Sequence, residues 1–286
     1  MVWMQRRNIW LVGGDDRQAA LAGLLAGDGH KVRVYGMEQR LCCEPTLEGV
    51  GQADCVILPL PAVDGKGVLH TPLSGRHLPA GELLTRLNPG QLVLAGKASP
   101  WLKAAAESCG LVFADYFAQE ELALRNAIPT AEGAIRIAME ALPVTLHGAR
   151  VLILGFGRLG LALGPRLRSL GAHVSVAARR REQRVSAELL NLNSEGLEGM
   201  KEWIHSYDLI VNTVPAMVLG VEELAALKEG AVVLDLASLP GGVDDESAAA
   251  LNVKVIHALG LPGKEAPLTA ACYLRDTVYH LLESLV

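Results

Sequence analysis

Two clusters of residues in this sequence have types and spacings that could do chemistry. The first is Gly155-Phe156-Gly157-Arg158-Leu159-Gly160, followed at the end of the next apolar run by Arg179, Arg180 and Arg181. Glycines so spaced between a buried strand and a helix let the backbone close around a diphosphate. Gly155 permits the tight turn, Gly157 lets the phosphates approach, and Gly160 lets helix and strand touch. The diphosphate would rest on open amides at the helix N-terminus, where the dipole is positive. An NAD site usually carries an acid at the second strand end, to hold the ribose hydroxyls; this chain carries three guanidiniums there, which suit a 2′-phosphate. The expected cofactor is therefore NADP, with Arg179 and Arg180 on the 2′-phosphate; the alternative is a solvated basic loop. The second cluster is Asp15 and Arg17, after Gly13-Gly14. Asp15 can cap a helix. Arg17 would then sit in its first turn, where the dipole disfavours a cation. That placement fits a ligand for a substrate carboxylate, or an ordinary surface arginine.

The elements that would position these residues follow from apolar runs. Val151 to Leu154 and His173 to Ala178 flank the glycine turn and a helix through Leu163, Leu167 and Leu170. Further strands are expected at Leu209 to Val211, Ala231 to Leu234 and Val253 to Ala258, each ending in small, polar or proline residues. The expected cofactor contacts are Gly155, Gly157, Arg158, Leu159 and Gly160 at the turn and Arg179 and Arg180 beyond it. Asn212, Thr213, Val214 and Pro215, then Ala237 and Ser238, and finally Pro262 complete the set at later strand ends. In the first half, strands are expected at Asn8 to Val12, Lys31 to Tyr35, Ala53 to Leu58, Gln91 to Ala95 and Leu111 to Ala114, alternating with helices, so this half also reads as a parallel sheet. A long polar loop, Asp64 to Arg76, interrupts it. Lys97 and Ser99 lie at a strand end, in the usual ligand crevice of such sheets, although Ser99 could simply cap a helix beginning at Pro100.

Between the halves, Asp115 to Ala127 reads as a helix that Pro129 interrupts, with Thr130 capping a second helix from Ala131 to Leu142. A helix start there would face the nicotinamide, making Asn126, Thr130 and Glu132 cleft residues; capping alone explains Thr130 and Glu132 equally well. Glu132 is the first choice for a general acid or base and Asp15 the second. A closing helix, Ala270 to Leu285, is opened by Pro267 and Thr269. The fold class is α/β: two Rossmann-like parallel-sheet domains with a cleft between them, residues 1–128 on the substrate side and 129–267 for NADP, with the helix 268–286 packing back on the first.

Composition narrows the classes. The 286 residues are 50% hydrophobic and 20% charged, ample for two cores. A net charge of −5 gives no broad basic face for nucleic acid. Five scattered cysteines show no metal spacing and suggest reduced thiols in a cytoplasm. The histidines form no HxxH or HExxH, so no metal site is expected, and each reads as an ordinary surface or core residue. There is no GxSxG, no apolar run long enough to span a membrane, and no signal-peptide core at the N-terminus.

Seven segments together resemble the A component of dipicolinate synthase, from spore-forming bacteria. They are Gly13-Gly-Asp-Asp-Arg17, Ile57-Leu-Pro-Leu-Pro61, Asn126-Ala-Ile-Pro-Thr-Ala-Glu-Gly133, Leu154-Gly-Phe-Gly-Arg-Leu-Gly160, Asn212-Thr-Val-Pro215, Asp235-Leu-Ala-Ser-Leu-Pro-Gly-Gly242 and Gly260-Leu-Pro-Gly263. The layout is also similar to two-domain dehydrogenases such as methylenetetrahydrofolate and alanine dehydrogenases. One local departure is Lys97-Ala98, where the family leads one to expect smaller or apolar residues. The resemblance implies that a cyclic dicarboxylate, 4-hydroxytetrahydrodipicolinate, loses water and passes a hydride to NADP, leaving dipicolinate. It also implies, as partner in a hetero-oligomer, the flavoprotein-like B component of dipicolinate synthase, in the mother-cell cytoplasm during sporulation. Arg17 and the helix N-termini after Gly14 and at Thr130 would bind the substrate carboxylates. Two alternatives stand beside it. One is another NADP-dependent dehydrogenase: a hydroxy-acid enzyme would want a late histidine paired with an acid, for which His257 and His280 are available, and a folate enzyme would want a lysine such as Lys97. The other is a non-catalytic NADP-binding scaffold for a partner.

Overall fold

The structure is a computed structural model that describes residues 5–285. It divides into two compact units, Met1–Asn126 with Pro262–Val286, and Ala127–Leu261. The first unit contains β1 (Asn8–Val12), α1 (Asp16–Gly27), β2 (Lys31–Tyr35), β3 (Cys55–Ile57), α2 (Ala80–Leu84), β4 (Leu92–Ala95), α3 (Pro100–Ser108) and β5 (Val112–Asp115). Its five strands are all parallel, in the order β2-β1-β3-β4-β5. Apolar runs make these strands because a parallel sheet is covered on both faces. Alternate residues of β1 serve opposite layers. Ile9 and Leu11 pack with Leu21 and Leu25 of α1; Trp10 and Val12 pack with Leu83 and Leu84 of α2 and Leu102 of α3. The helices after β1 and β3 therefore lie on opposite faces, and the β1/β3 boundary is the sheet's switch point, where a ligand crevice opens at the strands' carboxyl ends.

The second unit contains β6 (Arg150–Leu154), α5 (Arg158–Ser169), β7 (His173–Ala177), α6 (Arg181–Leu189), β8 (Asn193–Glu195), α7 (Met200–Trp203), β9 (Leu209–Asn212), α8 (Val221–Ala225), β10 (Val232–Asp235), α9 (Asp245–Ala250) and β11 (Lys254–His257), where α4 is the 22-residue helix Glu120–Ala141 that precedes β6. Its six parallel strands run β11-β10-β9-β6-β7-β8, with the switch point between β6 and β9. Counted within the unit, this is the dinucleotide-binding order 3-2-1-4-5-6. Val151 and Ile153 face Leu163 and Leu167 of α5, whereas Leu152 and Leu154 face Ile210, Leu224 and Ala248.

The helix α4 corrects the expected break at Pro129. Residues Tyr116–Ala118 form a short 3-10 turn, and α4 then runs unbroken through Pro129. Proline in a helix interior removes one hydrogen bond and crowds a carbonyl, at a cost of about 3 kcal/mol. The stripe Ala127, Ala131, Ala134 and Ala138 is buried along one face, and that burial keeps the helix continuous. There is consequently no helix N-terminus at Thr130 to offer amides to a carboxylate. Two features have no apolar signature to announce them: the three-residue polar edge strand β8, and the short helices α6 to α9. Among the described residues no helix is long and apolar enough to cross a membrane.

After β11 come α10 (Leu261–Glu265) and α11 (Pro267–Leu285). Ala271, Leu274, Val278, Leu281 and Leu282 of α11 join the core of α1. A polar cluster reinforces the joint. The Tyr279 hydroxyl donates to Asp28 (2.6 Å), Arg275 pairs with Asp28 (3.5 Å), and His30, 6% exposed, sits against the Tyr279 ring (5.7 Å between centroids). His30 Nδ1 accepts the Arg7 amide (3.2 Å), which requires an unprotonated nitrogen. Burial holds its pKa below the ordinary value, outweighing the nearby Asp28 carboxylate that favours protonation. With a lowered folded pKa, the stabilisation is complete above the unfolded value of about 6.5 and is lost as pH falls through the folded one. The denaturation midpoint of the wild type should therefore drop between about pH 7 and 5 more steeply than that of His30→Asn; parallel pH profiles would show that His30 is not the titrating group.

Candidate functional site

At the β6/β9 switch point the three glycines meet three different constraints. Gly155 has φ 84° and its amide donates to Ala177 O (2.8 Å); a Cβ there would lie 2.7 Å from Thr213 Oγ1. A Cβ on Gly160 would lie 2.8 Å from Gly155 O, so only glycine lets α5 approach β6. Gly157 precedes α5 in extended conformation, no side chain caps the helix, and nothing stands within 4 Å of the position a Cβ would take. No side chain caps the first turn of α5, and the space before it at Gly157 is open. This is the geometry of a phosphate cradle. Thr213 Oγ1 donates to Leu154 O (2.8 Å) and ties the end of β9 to the end of β6.

The neighbouring strand ends are held by a buried carboxylate. Asp235, 1% exposed, accepts from Asn212 Nδ2 (2.8 Å), Ala237 N (3.0 Å) and Gly242 N (3.3 Å). Asn212 is itself fully buried, and its Oδ1 accepts Val214 N (3.0 Å). Asn212 therefore shapes the 212–215 turn, and Asp235 shapes the 236–242 loop that carries Ala237 and exposed Ser238. A Cβ on Gly242 would lie 2.7 Å from Val214 O, so the two loops touch through backbone. Pro215 is exposed beside them. His257 Nε2 lies 2.7 Å from Asp245 and Nδ1 lies 3.5 Å from Asp235, so this late histidine has the acid partners that no sequence motif announces.

At the end of β7, Arg179 and Arg180 are exposed and Arg180 stands before α6, which no side chain caps. Arg184, in the next turn, donates to Ala178 O (3.2 Å) and braces this corner. No acid occupies 178–181.

The first unit's crevice is organised around Arg17, 7% exposed. Asp15 caps α1, accepting Arg17 N (2.9 Å), while Gln18 bonds back to Asp15 N (3.2 Å). The same carboxylate receives Nε and Nη2 of Arg17 at 2.7 to 3.1 Å, and Nη2 also donates to Leu60 O across the switch point (2.8 Å). Among the described residues Nη1 has no hydrogen bond, which leaves one edge of the guanidinium for a ligand. Asp15 is committed to capping α1 and orienting this cation. Gly263 seals the pair: a Cβ there would lie 2.7 Å from Arg17 Nε and from Asp15 Oδ2. Pro262, expected among the nucleotide contacts, adjoins Gly263 at the start of the segment grouped with the first unit.

His70 joins the pair. Its backbone bonds Ala62 O (3.1 Å) and its carbonyl accepts Gly14 N (2.9 Å), clamping the polar loop onto the β1–α1 turn. The half-buried imidazole feels Asp15, Arg17 and Asp64, and burial dominates, lowering its pKa so that it is neutral at pH 7. A single histidine in a loop gives no pattern to read; only the fold brings it beside Asp15. Tyr116, fully buried, donates to Leu58 O (2.9 Å) and accepts from Gln18 (3.4 Å), joining the exits of β3 and β5 to α1.

The other expected residues lie elsewhere. Ser99 caps α3, its Oγ accepting Leu102 N (3.2 Å). Asn126 (9% exposed) and Thr130 are inside α4. Glu132 is exposed and lines a shallow groove with Pro165, Arg166, Ser169 and Leu170, at the opposite end of α5 from the phosphate cradle. Those residues follow the helix start by roughly 10 to 17 Å of helix rise, so no side chain there reaches the cradle.

Residues 8–117 match the family described as the N-terminal domain of the dipicolinate synthase A component, and residues 125–267 match the D-isomer specific 2-hydroxyacid dehydrogenase NAD-binding domain. The chain is 31% identical over 290 residues to the dipicolinate synthase A component of Bacillus subtilis (strain 168), covering 97% of this chain and 96% of that protein. The crystal structure of the same component from Bacillus halodurans superposes with a TM-score of 0.89 at 28% identity, over 96% of this chain and 97% of that one. The corresponding Bacillus subtilis structure gives 0.85 at 30% identity, over 97% and 96%. Arg17 with its cap, the open phosphate cradle and this match along nearly the whole chain lead to one conclusion: the chain belongs to the family of dipicolinate synthase A components, with an oxidoreductase-type nicotinamide-nucleotide domain.

Proposed function

We propose that this chain catalyses the NADP-dependent oxidation that yields dipicolinate, taking as substrate the cyclic dicarboxylate formed when 4-hydroxytetrahydrodipicolinate loses water. The observation that carries the reading is that one chain of this family holds both an open phosphate cradle and a buried, pre-oriented guanidinium. The residues present fit the cofactor: the amides of α5 receive the diphosphate, the 212–215 and 236–242 loops border the ribose, and Arg179 and Arg180 hold the 2′-phosphate. When bound, NADP accepts the hydride. The free Nη1 of Arg17 donates a charge-assisted hydrogen bond to one substrate carboxylate. Loss of a hydride and a ring proton together makes the ring aromatic, so a proton acceptor is needed; His70, neutral at pH 7 and beside Arg17, takes that proton. The protein's remaining work is orientation. The partner is the B component of dipicolinate synthase, and the setting is the mother-cell cytoplasm of a sporulating bacterium.

One observation favours a second reading. His257 paired with Asp245 is the proton relay a hydroxy-acid dehydrogenase needs, and residues 125–267 match that class of domain. Rapid turnover of a 2-hydroxy acid, abolished by His257→Asn, would replace the dicarboxylate reading.

Arg179→Ala with Arg180→Ala should weaken NADP binding by tenfold or more, about 1.4 kcal/mol, and leave NAD affinity unchanged; calorimetric titration with both nucleotides checks this, and equal losses would remove the 2′-phosphate assignment. For the substrate, Arg17→Lys should cut kcat/KM by at least a hundredfold at unchanged NADP affinity, because an ammonium cannot hold Asp15 and Leu60 O in one plane and still present a fixed donor to the ligand. In the wild type, kcat/KM should fall on the acid side through a pKa below about 6.5, since the acceptor must be unprotonated; His70→Asn should lose most of the rate and this limb with it. An unaltered acid limb in that variant would assign the proton to another group.

A further inference from the structure

A ring with two carboxylates needs two separated positive poles, and Arg17 supplies one that Asp15 already largely neutralises. The sheet's carboxyl edge holds a second cation in an unusual backbone state. Lys97 follows β4 and has φ 50°. Among the described residues only two other non-glycine residues have positive φ, Asn191 and Asn252, and asparagine is the type that tolerates it. A long unbranched side chain gains nothing there unless the side chain itself is used.

The surroundings hold that strain in place. Asp115, at the end of β5, accepts Lys97 N (3.0 Å) and Phe117 N (2.8 Å) on one oxygen and Ala98 N (2.8 Å) on the other. Gly96 N donates to Pro59 O (3.0 Å) and Gly96 O accepts Ala62 N (2.7 Å). The Lys97 turn is thus bonded to the same 59–62 loop whose Leu60 carbonyl holds Arg17. Asp115 directs both oxygens to backbone, and Lys97, exposed, makes no ion pair among the described residues. From β1 to β4 is two strand spacings, about 10 Å, within reach of a lysine side chain and a pyridine-sized ring together.

We infer that Lys97 is a substrate-binding residue that holds the second carboxylate of a cyclic dicarboxylate, with Arg17 on the first. This rests on the dicarboxylate reading above. The full-length chain, saturated with NADP, is titrated calorimetrically with pyridine-2,6-dicarboxylate and with pyridine-2-carboxylate. The wild type should bind the dicarboxylate at least tenfold more tightly than the monocarboxylate. Lys97→Gly should lose that preference, keep its monocarboxylate affinity, and melt no lower than the wild type, because glycine relaxes at φ 50°. Lys97→Arg should recover part of the preference. A Lys97→Gly protein that retains the preference overturns the inference while leaving the dicarboxylate reading intact. Equal loss of both ligands with a lowered melting temperature, repeated in Lys97→Asn, also overturns it, since the residue would then only shape the loop. A wild type that binds neither ring overturns the dicarboxylate reading, and this inference with it.

Discussion

A buried cation at the positive end of a helix is opposed twice, by desolvation and by the helix dipole. The carboxyl edge of the first unit is built to hold Arg17 there nonetheless. Asp15 serves at once as N-cap and counter-ion. Gln18 closes the cap from inside α1 and bonds Tyr116, whose hydroxyl reaches the end of β3. The Leu60 carbonyl, turned toward the switch point, takes a third guanidinium donor. Each partner restricts its neighbours: Gly14 leaves room for the Gln18 side chain, and Gly263 leaves room for the ion pair itself. A side chain at either glycine would meet these groups at van der Waals overlap, so the sequence there is constrained by Arg17 without touching a ligand.

The second unit solves the mirror problem with an anion. Asp235 is buried at the end of β10 and is satisfied by two amides and the Asn212 side chain. Hydrogen-bonded charge of this kind is costly to leave half-satisfied, so Asp235 ties the two loops together. The 212–215 and 236–242 loops thus form a braced rim next to the uncapped start of α5. Arg17 and Asp235 thus play the same structural part with opposite sign, one leaving a guanidinium edge free and the other leaving no oxygen free.

Much of this frame was legible in residue order. Parallel strands are covered on both faces, so β1 and β6 stand out as apolar runs; β1 and β2 have the expected bounds, β6 begins one residue before the expected Val151, and the glycine spacing marks the cradle. Illegible parts share one physical cause: they depend on contacts between residues far apart in the chain. Asp115 reaches back to Lys97, His70 to Gly14, and Asp235 across to Asn212. The error at Pro129 is of another kind. Local propensity says that proline stops a helix; burial of the alanine stripe through Ala138 overrides it. With that helix start went the amides expected at Thr130, and Glu132 was carried along α4 to the far end of α5.

That displacement changes what kind of chemistry the chain can offer. Glu132 is an exposed residue at the far end of α5, whereas half-buried His70 has its pKa lowered by burial and is neutral at pH 7. Aromatisation of a six-membered ring is strongly downhill, so such a reaction asks little of its base beyond being unprotonated and in place. It asks more of the groups that fix the ring, because a hydride moves only over a short, aligned path. Under the proposed reading the first unit meets that order with one imidazole for the proton, against a capped and braced guanidinium and a braced lysine of positive φ for orientation.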